Sequence, residues 1–255
     1  MIVGTDRSRT DGAPDSFCFA CQKERPCFTT CCAGLKLVLT PYDILRLKTR
    51  LHLSSDAFLR RFTTAYADQA SGLPVIRLKM THATTGPCPF VTPHGCTVYA
   101  DRPGACRLYP LGQAVSKTYA HRRAGEYYFQ IKEAHCLGWQ AQRKWTINEW
   151  LTDQGLDADN AMNAPYLQLT TGRPPNVLKK LGNRQLQMYY MACYNLDEFR
   201  RFILESSFRQ RFDLAQATWQ RLAVDDVDLL AFAAHWLEFA LFGVPLKTAN
   251  GFTPR

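Results

Sequence analysis

Hydrophobic residues alternate with other residues in two short segments of the first half of the chain, 35–39 and 76–80, and a third candidate strand is the mainly hydrophobic segment 127–131. A period of two residues is typical of β-strands. Between the first two segments, Thr40 with Pro41 and then Ser54 supply the capping and first-turn residues that begin helices. The first half is therefore predicted to mix short strands with helices.

From about Thr146 onwards the hydrophobic residues follow a helical period instead. Two segments, 146–149 and 195–198, match the capping-box pattern that begins a helix, the second with Asn in place of Ser or Thr. The longest helix is predicted at Asp226–Phe242, where the apolar stripe is typical of core packing and Gly243 would end the helix. Together the two halves predict an α+β fold whose C-terminal half is mainly α-helical.

The composition is that of a globular protein with an excess of positive charge. The 255 residues are 46% hydrophobic, and 31 Lys and Arg against 22 Asp and Glu give a formal charge of +9. Basic chains attract nucleic acid through its phosphates. Here, however, the densest basic groups are pairs such as Arg60-Arg61 and Arg200-Arg201. We therefore expect nucleic-acid binding that is at most weak and non-specific, and the residues identify no other partner.

No segment of the sequence indicates export or membrane insertion. Residues 1–16 are polar and lack the apolar core of a secretory signal. The longest apolar stretch, from Leu229 to Val244, is interrupted by His235 and Glu238 and is short for a bilayer span. We therefore expect a cytoplasmic protein without a membrane partner. In that reducing compartment the ten cysteines require an explanation other than disulfides, and metal ligation is the usual one.

Half of the ten cysteines lie close together near the start of the chain. They are Cys18, Cys21, Cys27, Cys31 and Cys32. The Cys18-x-x-Cys21 spacing suits a tight turn that directs two sulfurs towards one metal. Side chains of adjacent residues diverge in an extended chain. The Cys31-Cys32 pair is therefore expected to serve two metals, or to place one sulfur on a metal and the other in its surroundings.

Four further cysteines extend the candidate set of metal ligands. Cys88, Cys96 and Cys106 each lie close to glycine or proline, in turns where backbone N–H groups can point at sulfur and lower its pKa. Cys136 closes the cysteine-rich half and is a further candidate ligand. Cys193, by contrast, lies in an apolar helical setting and is predicted to be a buried core thiol.

Charged residues near these cysteines have two alternative roles. Arg102 and Arg107 either compensate the negative charge of a metal–thiolate site or form ordinary surface pairs. His94 and His135 neighbour cysteines and are weaker candidates for ligation or for hydrogen bonding to the centre. The sequence has no Gly-rich phosphate loop, no GxSxG elbow and no HExxH motif, so nothing indicates a nucleotide site.

A longer series of motifs carries a family resemblance. In chain order the motifs are Cys18-x-x-Cys21, Cys31-Cys32, Leu39-Thr40-Pro41-Tyr42-Asp43-Ile44, Cys88-Pro89-Phe90, Gly95-Cys96, Asp101-Arg102-Pro103 and Cys106-Arg107-Leu108-Tyr109-Pro110. Over this series, about Cys18 to Pro110, the chain resembles the YkgJ-like cysteine-cluster family, a proposed zinc- or iron-chelating domain. The resemblance implies that the ligands include Cys18, Cys21, Cys31, Cys32, Cys88, Cys96 and Cys106.

One departure from the family pattern concerns Cys27. An insertion that carries this residue separates the CxxC motif from the double cysteine, so the roles of Cys27, Cys31 and Cys32 remain alternatives. The cysteine cluster also looks similar to that of a bacterial flagellin lysine methylase, which is associated with an iron–sulfur centre. That likeness favours an iron–sulfur cluster, such as a 4Fe–4S cluster, over zinc. It implies no methyltransferase activity for this chain.

These expectations define four regions and two alternative functions. The regions are a flexible N-terminal arm at 1–16, a cysteine-cluster metal-binding domain at 17–140, a helical region packed on it at 141–244, and a tail at 245–255. In the first alternative the cysteines hold an iron–sulfur cluster or zinc, with a cluster-dependent enzymatic or electron-transfer role. In the second the metal is structural zinc, and the protein is an interaction module whose basic surface engages protein or nucleic acid.

Overall fold

Helices dominate the C-terminal half of the protein and short strands lie in the cysteine-rich half, which confirms the predicted α+β class. The computed structural model describes residues 16–82, 85–116, 125–245 and 253–254. The predicted N-terminal arm lies outside these residues except for Ser16, and so does most of the predicted tail. Within the described ranges, every helix is too short or too polar to cross a bilayer.

The secondary structure alternates between short strands and helices before it becomes mainly helical. The strands are β1 (Ser16–Cys18), β2 (Val38–Leu39), β3 (Thr63–Ala67), β4 (Pro74–Leu78), β5 (Val91–Thr92), β6 (Gly95–Cys96), β7 (Leu111–Ser116), β8 (Gly125–Gln130), β9 (Lys144–Thr146), β10 (Phe212–Asp213) and β11 (Thr253–Pro254). The α-helices are α1 (Pro41–Arg50), α2 (Ser55–Phe62), α3 (Gly104–Leu108), α4 (Ile147–Asp153), α5 (Leu156–Thr171), α6 (Pro175–Leu178), α7 (Asn183–Tyr194), α8 (Leu196–Glu205), α9 (Phe208–Arg211), α10 (Gln216–Val224) and α11 (Asp226–Phe242). Short 3-10 helices are Thr30–Cys32, Tyr99–Asp101 and Leu137–Gln140.

The strands form small sheets. β1 pairs with β9, β5 with β6, β7 with β8 and β10 with β11, and each of these pairs is antiparallel. β4 lies between β2 and β3 in a three-stranded sheet. The three strands predicted from the sequence are present as β2, β4 and β8, although β2 covers only the last two residues of the predicted segment 35–39.

Side-chain caps begin three of the helices as predicted. Thr40 Oγ1 accepts a hydrogen bond from Asp43 N at 3.1 Å, and Asp43 Oδ2 accepts one from Thr40 N at 2.8 Å, which forms a capping box at α1. Ser54 caps α2, and Thr146 forms the same reciprocal box at α4. α11 has the predicted bounds and ends at Gly243, whose φ of 67° is the left-handed conformation that glycine adopts without strain.

The capping box predicted at the start of α8 is wrong, although the helix does begin there. Asn195 precedes the helix, but its side chain makes no capping hydrogen bond. The Asp197 carboxylate instead accepts a hydrogen bond from Ser55 N at 2.6 Å, and Glu198 pairs with Arg201. Asp197 and Glu198 therefore bind other partners and form no capping box with Asn195.

The chain divides into two compact units, each of which is discontinuous in sequence. The cysteine-rich unit consists of Met1–Val38 and Arg77–Asp159, and the helical unit consists of Leu39–Ile76 and Asn160–Arg255. The sequence analysis placed residues 39–76 with the cysteine-rich region. In the structure α1 packs on α7 and α11, and α2 packs on α8, because their apolar faces are buried against these helices.

Aromatic side chains fill the core of the helical unit. The ring centroid of Phe199 on α8 lies 5.3 Å from that of Trp236 on α11, and Phe208 lies 5.8 Å from the same indole. All three side chains are buried, as are Leu229 and Ala233 on the same helix as Trp236. The packing role predicted for the apolar stripe of α11 is thus confirmed.

Two cations and two carboxylates form a largely buried ionic network inside the helical unit, here called the Lys48 network. Lys48 of α1 has only 8% of its side chain exposed, and its Nζ lies 2.6 Å from Asp226 Oδ2 and 3.4 Å from Asp197 Oδ1. Arg200 of α8 pairs with the same two carboxylates. The four charges cancel, so burial of the lysine leaves no uncompensated charge.

Acid is expected to weaken the helical unit through Asp226. Burial raises the pKa of this carboxyl, but Lys48 and Arg200 outweigh burial, so its pKa is lowered in the folded protein. The carboxyl of an unfolded Asp has a pKa of about 3.9. Its stabilisation is therefore complete above that pH and is lost as the pH falls through the lower folded value. Urea unfolding followed by circular dichroism should show a smaller loss of stability in acid for Asp226→Asn than for the native protein, and equal losses would contradict this assignment.

Aromatic rings also form the core of the cysteine-rich unit. The ring centroid of Phe19 lies 5.7 Å from that of Trp150, and Trp145 lies 5.2 Å from the same indole, both in edge-on geometry. Trp145 Nε1 donates a hydrogen bond to Phe19 O at 2.9 Å, and Trp150 Nε1 donates one to Leu108 O at 3.1 Å. These two bonds fix the segment around Phe19, which lies between Cys18 and Cys21, and the segment around Leu108, which follows Cys106.

Candidate metal centre

The residues after β1 lie against the segment that follows Cys136. Ala20 N donates a hydrogen bond to Gly138 O at 3.1 Å, which continues the contact that β1 makes with β9. A Cβ atom at Gly138 would lie 2.5 Å from the Phe19 ring, so this approach of the two segments depends on glycine. Cys21 therefore begins its turn beside the 3-10 helix that follows Cys136.

The loop after Cys21 is held to the same 3-10 helix by two hydrogen bonds. Leu137 N donates to Cys27 Sγ at 3.3 Å, and Arg25 Nη1 donates to Leu137 O at 2.7 Å. The loop then enters the 3-10 helix Thr30–Cys32 through a hydrogen bond from Thr30 N to Cys27 O. Cysteines that are far apart in sequence are in this way brought to one region of the unit.

Five thiols on these segments form what is here called the cysteine cluster. Its members are Cys21, Cys27, Cys31, Cys32 and Cys136. Burial raises the pKa of Cys21, and three neighbouring sulfurs of the cluster raise it further. The pKa of Cys31 is raised chiefly by a hydrogen bond with Cys32, then by burial and by the charge of Glu133. The sulfurs are thus close enough to repel one another as thiolates, the form that a bound cation stabilises.

A second pair of cysteines lies on the hairpin formed by β5 and β6. Cys88 N donates a hydrogen bond to Cys32 O at 2.7 Å, which joins the hairpin to the cysteine cluster. Backbone N–H groups donate to the sulfurs of Cys88 and Cys96, as the sequence predicts for these turns. The accompanying prediction of lowered pKa values is wrong, because burial outweighs these hydrogen bonds and raises the pKa of both thiols.

The remaining cysteines occupy three different settings. Cys18 is exposed at the end of β1, opposite Lys144 of β9. Cys106 is half-buried in α3, where its N–H donates to Pro103 O at 2.9 Å. Cys193 is buried in α7 of the helical unit, which confirms its prediction as a core thiol. All ten cysteines are free thiols.

The cysteine cluster gathers ligand atoms without forming a finished coordination shell. Within the part of the chain that the structure describes, no three His, Cys, Asp or Glu side chains lie close enough together to hold a metal ion. The donor set nevertheless fits a metal in its chemistry, because sulfur is a favoured ligand of both zinc and iron. The ligand role of each individual cysteine stays a prediction.

The two arginines near Cys106 have different surroundings. Arg107 is buried, its Nε lies 3.4 Å from Asp159 Oδ2, and its Nη1 donates to Gln154 O at 2.8 Å. The surface pairing predicted for Arg107 is therefore wrong, because the side chain is buried and donates hydrogen bonds to backbone carbonyls. Its role in charge compensation stays a prediction. The charge of Arg102 partly offsets the rise in the pKa of Cys96 that burial causes, in agreement with a role in charge compensation.

The two candidate histidines both have contacts outside the cysteine cluster. His94 is exposed in the turn between β5 and β6, and its N–H donates to Thr92 Oγ1 at 3.2 Å. His135 Nε2 lies 3.5 Å from Glu133 Oε2, and 41% of the histidine side chain is exposed. Glu133 itself faces the cluster, because its charge contributes to the raised pKa of Cys31.

Sequence reasoning assigned no role to four residues around the cluster, namely Arg25, Tyr109, Glu133 and Trp139. The charge of Arg25 partly offsets the rise in the pKa of Cys21, and Tyr109 and Trp139 pack with Cys136 against the aromatic core of the unit. Tyr109 and Trp139 each follow a cysteine by three residues, about one helical turn. That spacing is the sequence signal that could have found them.

The family comparison agrees with the site. Residues 20–137 match the family CxxCxxCC, which is described as a proposed zinc- or iron-chelating domain. No curated protein and no solved structure matches the chain. The matched segment contains the cysteine cluster and both hairpin cysteines, begins after Cys18 and ends before α4. Residues 20–137 are therefore similar to the CxxCxxCC family, in agreement with the cysteine-cluster resemblance that the motifs carry.

Proposed function

We propose that the segment 20–137 holds an iron–sulfur cluster through thiolates of the cysteine cluster and uses it for electron transfer or a cluster-dependent reaction. The observation that carries the proposal is the gathering of five thiols from segments more than a hundred residues apart, joined by the bond from Leu137 N to Cys27 Sγ across 110 positions. Four cysteine thiolates hold either a structural zinc ion or an iron–sulfur cluster, so the five gathered thiols suffice for both. The preference for iron comes from the likeness of the cysteine motifs to those of a protein associated with an iron–sulfur centre.

The protein's own residues would each have a definite task at such a centre. The thiolates bind the iron, and Arg25 beside Cys21 compensates part of their negative charge. The rings of Phe19 and Trp139, whose centroids lie 5.5 Å apart, pack next to Cys136 and keep water from that side. When bound, the cluster supplies one-electron exchange, and burial and hydrogen bonds to sulfur tune its potential.

A structural zinc site is the second candidate. It is favoured by the connection that the cluster makes between the loop after Cys21 and the segment of Cys136, since metal binding there would become folding energy. The basic surface would then serve a partner. For nucleic acid we propose at most weak binding, because aromatic residues such as Phe199 and Phe208 are buried against Trp236 and are not free to stack on bases.

Metal analysis of the anaerobically purified protein tests both candidates. We expect iron together with acid-labile sulfide, and a broad absorption in the blue part of the visible spectrum. Colourless protein that contains zinc would replace the first candidate with the second. Protein with neither metal, even after reconstitution with iron and sulfide or with zinc, would refute both.

A further inference from the structure

Three hydrogen-bond donors beside the cysteine cluster are buried without an acceptor among the described residues. They are Arg25 Nε, Tyr109 Oη and Trp139 Nε1, for none of which the described residues supply a hydrogen-bond partner. Buried donors of this kind are rare in folded proteins, because each one costs about 1–3 kcal/mol when left unpaired. Their positions beside the cysteine cluster indicate that an acceptor is needed there.

Tyr109 is the best placed of the three donors. Its ring packs edge-on against Phe19 with centroids 5.9 Å apart, and it lies with Cys136 against the same apolar core. The next residue is anchored by a hydrogen bond from Ile131 N to Pro110 O at 2.8 Å. The ring of Tyr109 and the backbone next to it are therefore both held in place.

The surroundings of the Tyr109 hydroxyl are sulfur atoms and one carboxylate. Burial raises the pKa of this phenol, and Cys136, Glu133 and Cys31 raise it further, with Cys136 the largest of these three. The side chains of Tyr109 and Cys136 pack against the same aromatic core, and the described residues supply no hydrogen-bond partner for the buried hydroxyl. A neutral thiol is a poor acceptor, whereas a thiolate accepts a strong charge-assisted hydrogen bond.

We propose that Tyr109 is a positioning residue whose hydroxyl donates a hydrogen bond to the Cys136 sulfur when that sulfur is a metal-bound thiolate. The inference rests on the proposed function only in requiring a metal at the cysteine cluster, and it holds for iron and for zinc alike. The bond satisfies the buried hydroxyl and orients the ligand at the same time. Outer partners of this kind contribute about 10–100-fold to metal affinity in other proteins.

The test uses Co²⁺ as the probe and the full chain in three forms. The forms are the native protein, Tyr109→Phe, and Tyr189→Phe as a matched control. Tyr189 also carries a buried hydroxyl without a hydrogen-bond partner among the described residues, but it lies in α7 of the helical unit. Each variant therefore loses one unpaired buried hydroxyl, and only one of them loses it beside Cys136.

Anaerobic titration with Co²⁺ against a competing chelator should give an affinity about tenfold weaker for Tyr109→Phe and unchanged for Tyr189→Phe. The sulfur-to-cobalt charge-transfer band of Tyr109→Phe should also move to lower energy, because a thiolate without its donor releases electrons more easily. Loss of stability alone would not move that band. Far-UV circular dichroism checks that both variants are folded.

The possible results separate this inference from the proposed function. Native affinity and an unshifted band in Tyr109→Phe would overturn the role of Tyr109, while metal in the purified native protein would leave the proposed function standing. Equal weakening in both tyrosine variants would overturn the inference as well, because the effect would not be specific to Cys136. Absence of a sulfur-to-cobalt band in the native protein would also overturn the inference, because no sulfur would then bind the metal. The proposed function is decided separately, by the iron or zinc content of the purified native protein.

Discussion

Replacement of Lys48 by methionine is expected to lower the free energy of unfolding of the helical unit by about 3–5 kcal/mol. Methionine keeps most of the apolar stem and removes the charge. Asp197 and Asp226 would then share a single cation, Arg200, in a site where the lysine side chain is only 8% exposed. Two carboxylates that lose half of their compensation in a poorly solvated site repel each other and shift towards protonation.

The measurement is urea unfolding followed by circular dichroism, with Arg60→Met as the control. Arg60 also pairs with an aspartate, Asp56, on a helix of the same unit, but 72% of its side chain is exposed. An exposed pair of this kind contributes less than about 1 kcal/mol. The double variant Lys48→Met with Asp226→Asn should recover part of the lost stability. Similar small effects for Lys48→Met and Arg60→Met would contradict a structural role for the network.

Serine in place of Cys136 or Cys21 is expected to reduce the metal content of the purified protein by about tenfold or more. Each change replaces a soft sulfur by a hydroxyl that stays protonated and binds iron or zinc weakly. Cys21 responds to three other sulfurs of the cluster, and Cys136 lies beside Tyr109. Both are therefore central to the group, and loss of either should disrupt metal binding by the whole cluster.

Cys193→Ser is the control for these variants, because Cys193 is buried in the helical unit and should leave the metal content unchanged. Elemental analysis per mole of folded chain is the measurement. The same analysis on Cys18→Ser and Cys106→Ser shows whether these cysteines, which the family resemblance implies as ligands, take part. Full metal content in both Cys21→Ser and Cys136→Ser would remove the cysteine cluster as the site.

Local signals predicted the helices well because their starts and ends depend on neighbouring residues. Thr40, Thr146 and Gly243 cap their helices as the sequence indicates, since each acts within one turn. The pattern failed at Asn195, where Asp197 has a tertiary partner in Ser55. The grouping of α1 and α2 with the C-terminal helices was also not predicted, because the apolar periodicity shows which face is buried but not what covers it.

The candidate site was predictable in its chemistry and only partly in its geometry. Cysteine spacing indicated metal ligation, and the match of residues 20–137 to a chelating family agrees with it. Spacing could not show that Cys136 lies beside the loop after Cys21, because a hydrogen bond between Ala20 N and Gly138 O brings them together. Tyr109 and Glu133 were missed for the same reason, since they become neighbours of sulfur only through folding.

The interleaved order of the two units has a consequence for the synthesis of the chain. The ribosome produces α1 and α2 before residues 77–159, and their packing partners α7, α8 and α11 emerge only afterwards. The apolar faces of the two nascent helices therefore stay exposed while the cysteine-rich unit is synthesised. A gene truncated after Asp159 would encode every cysteine of that unit together with two helices that lack their partners. Such a fragment should aggregate unless residues 39–76 are replaced by a short polar linker.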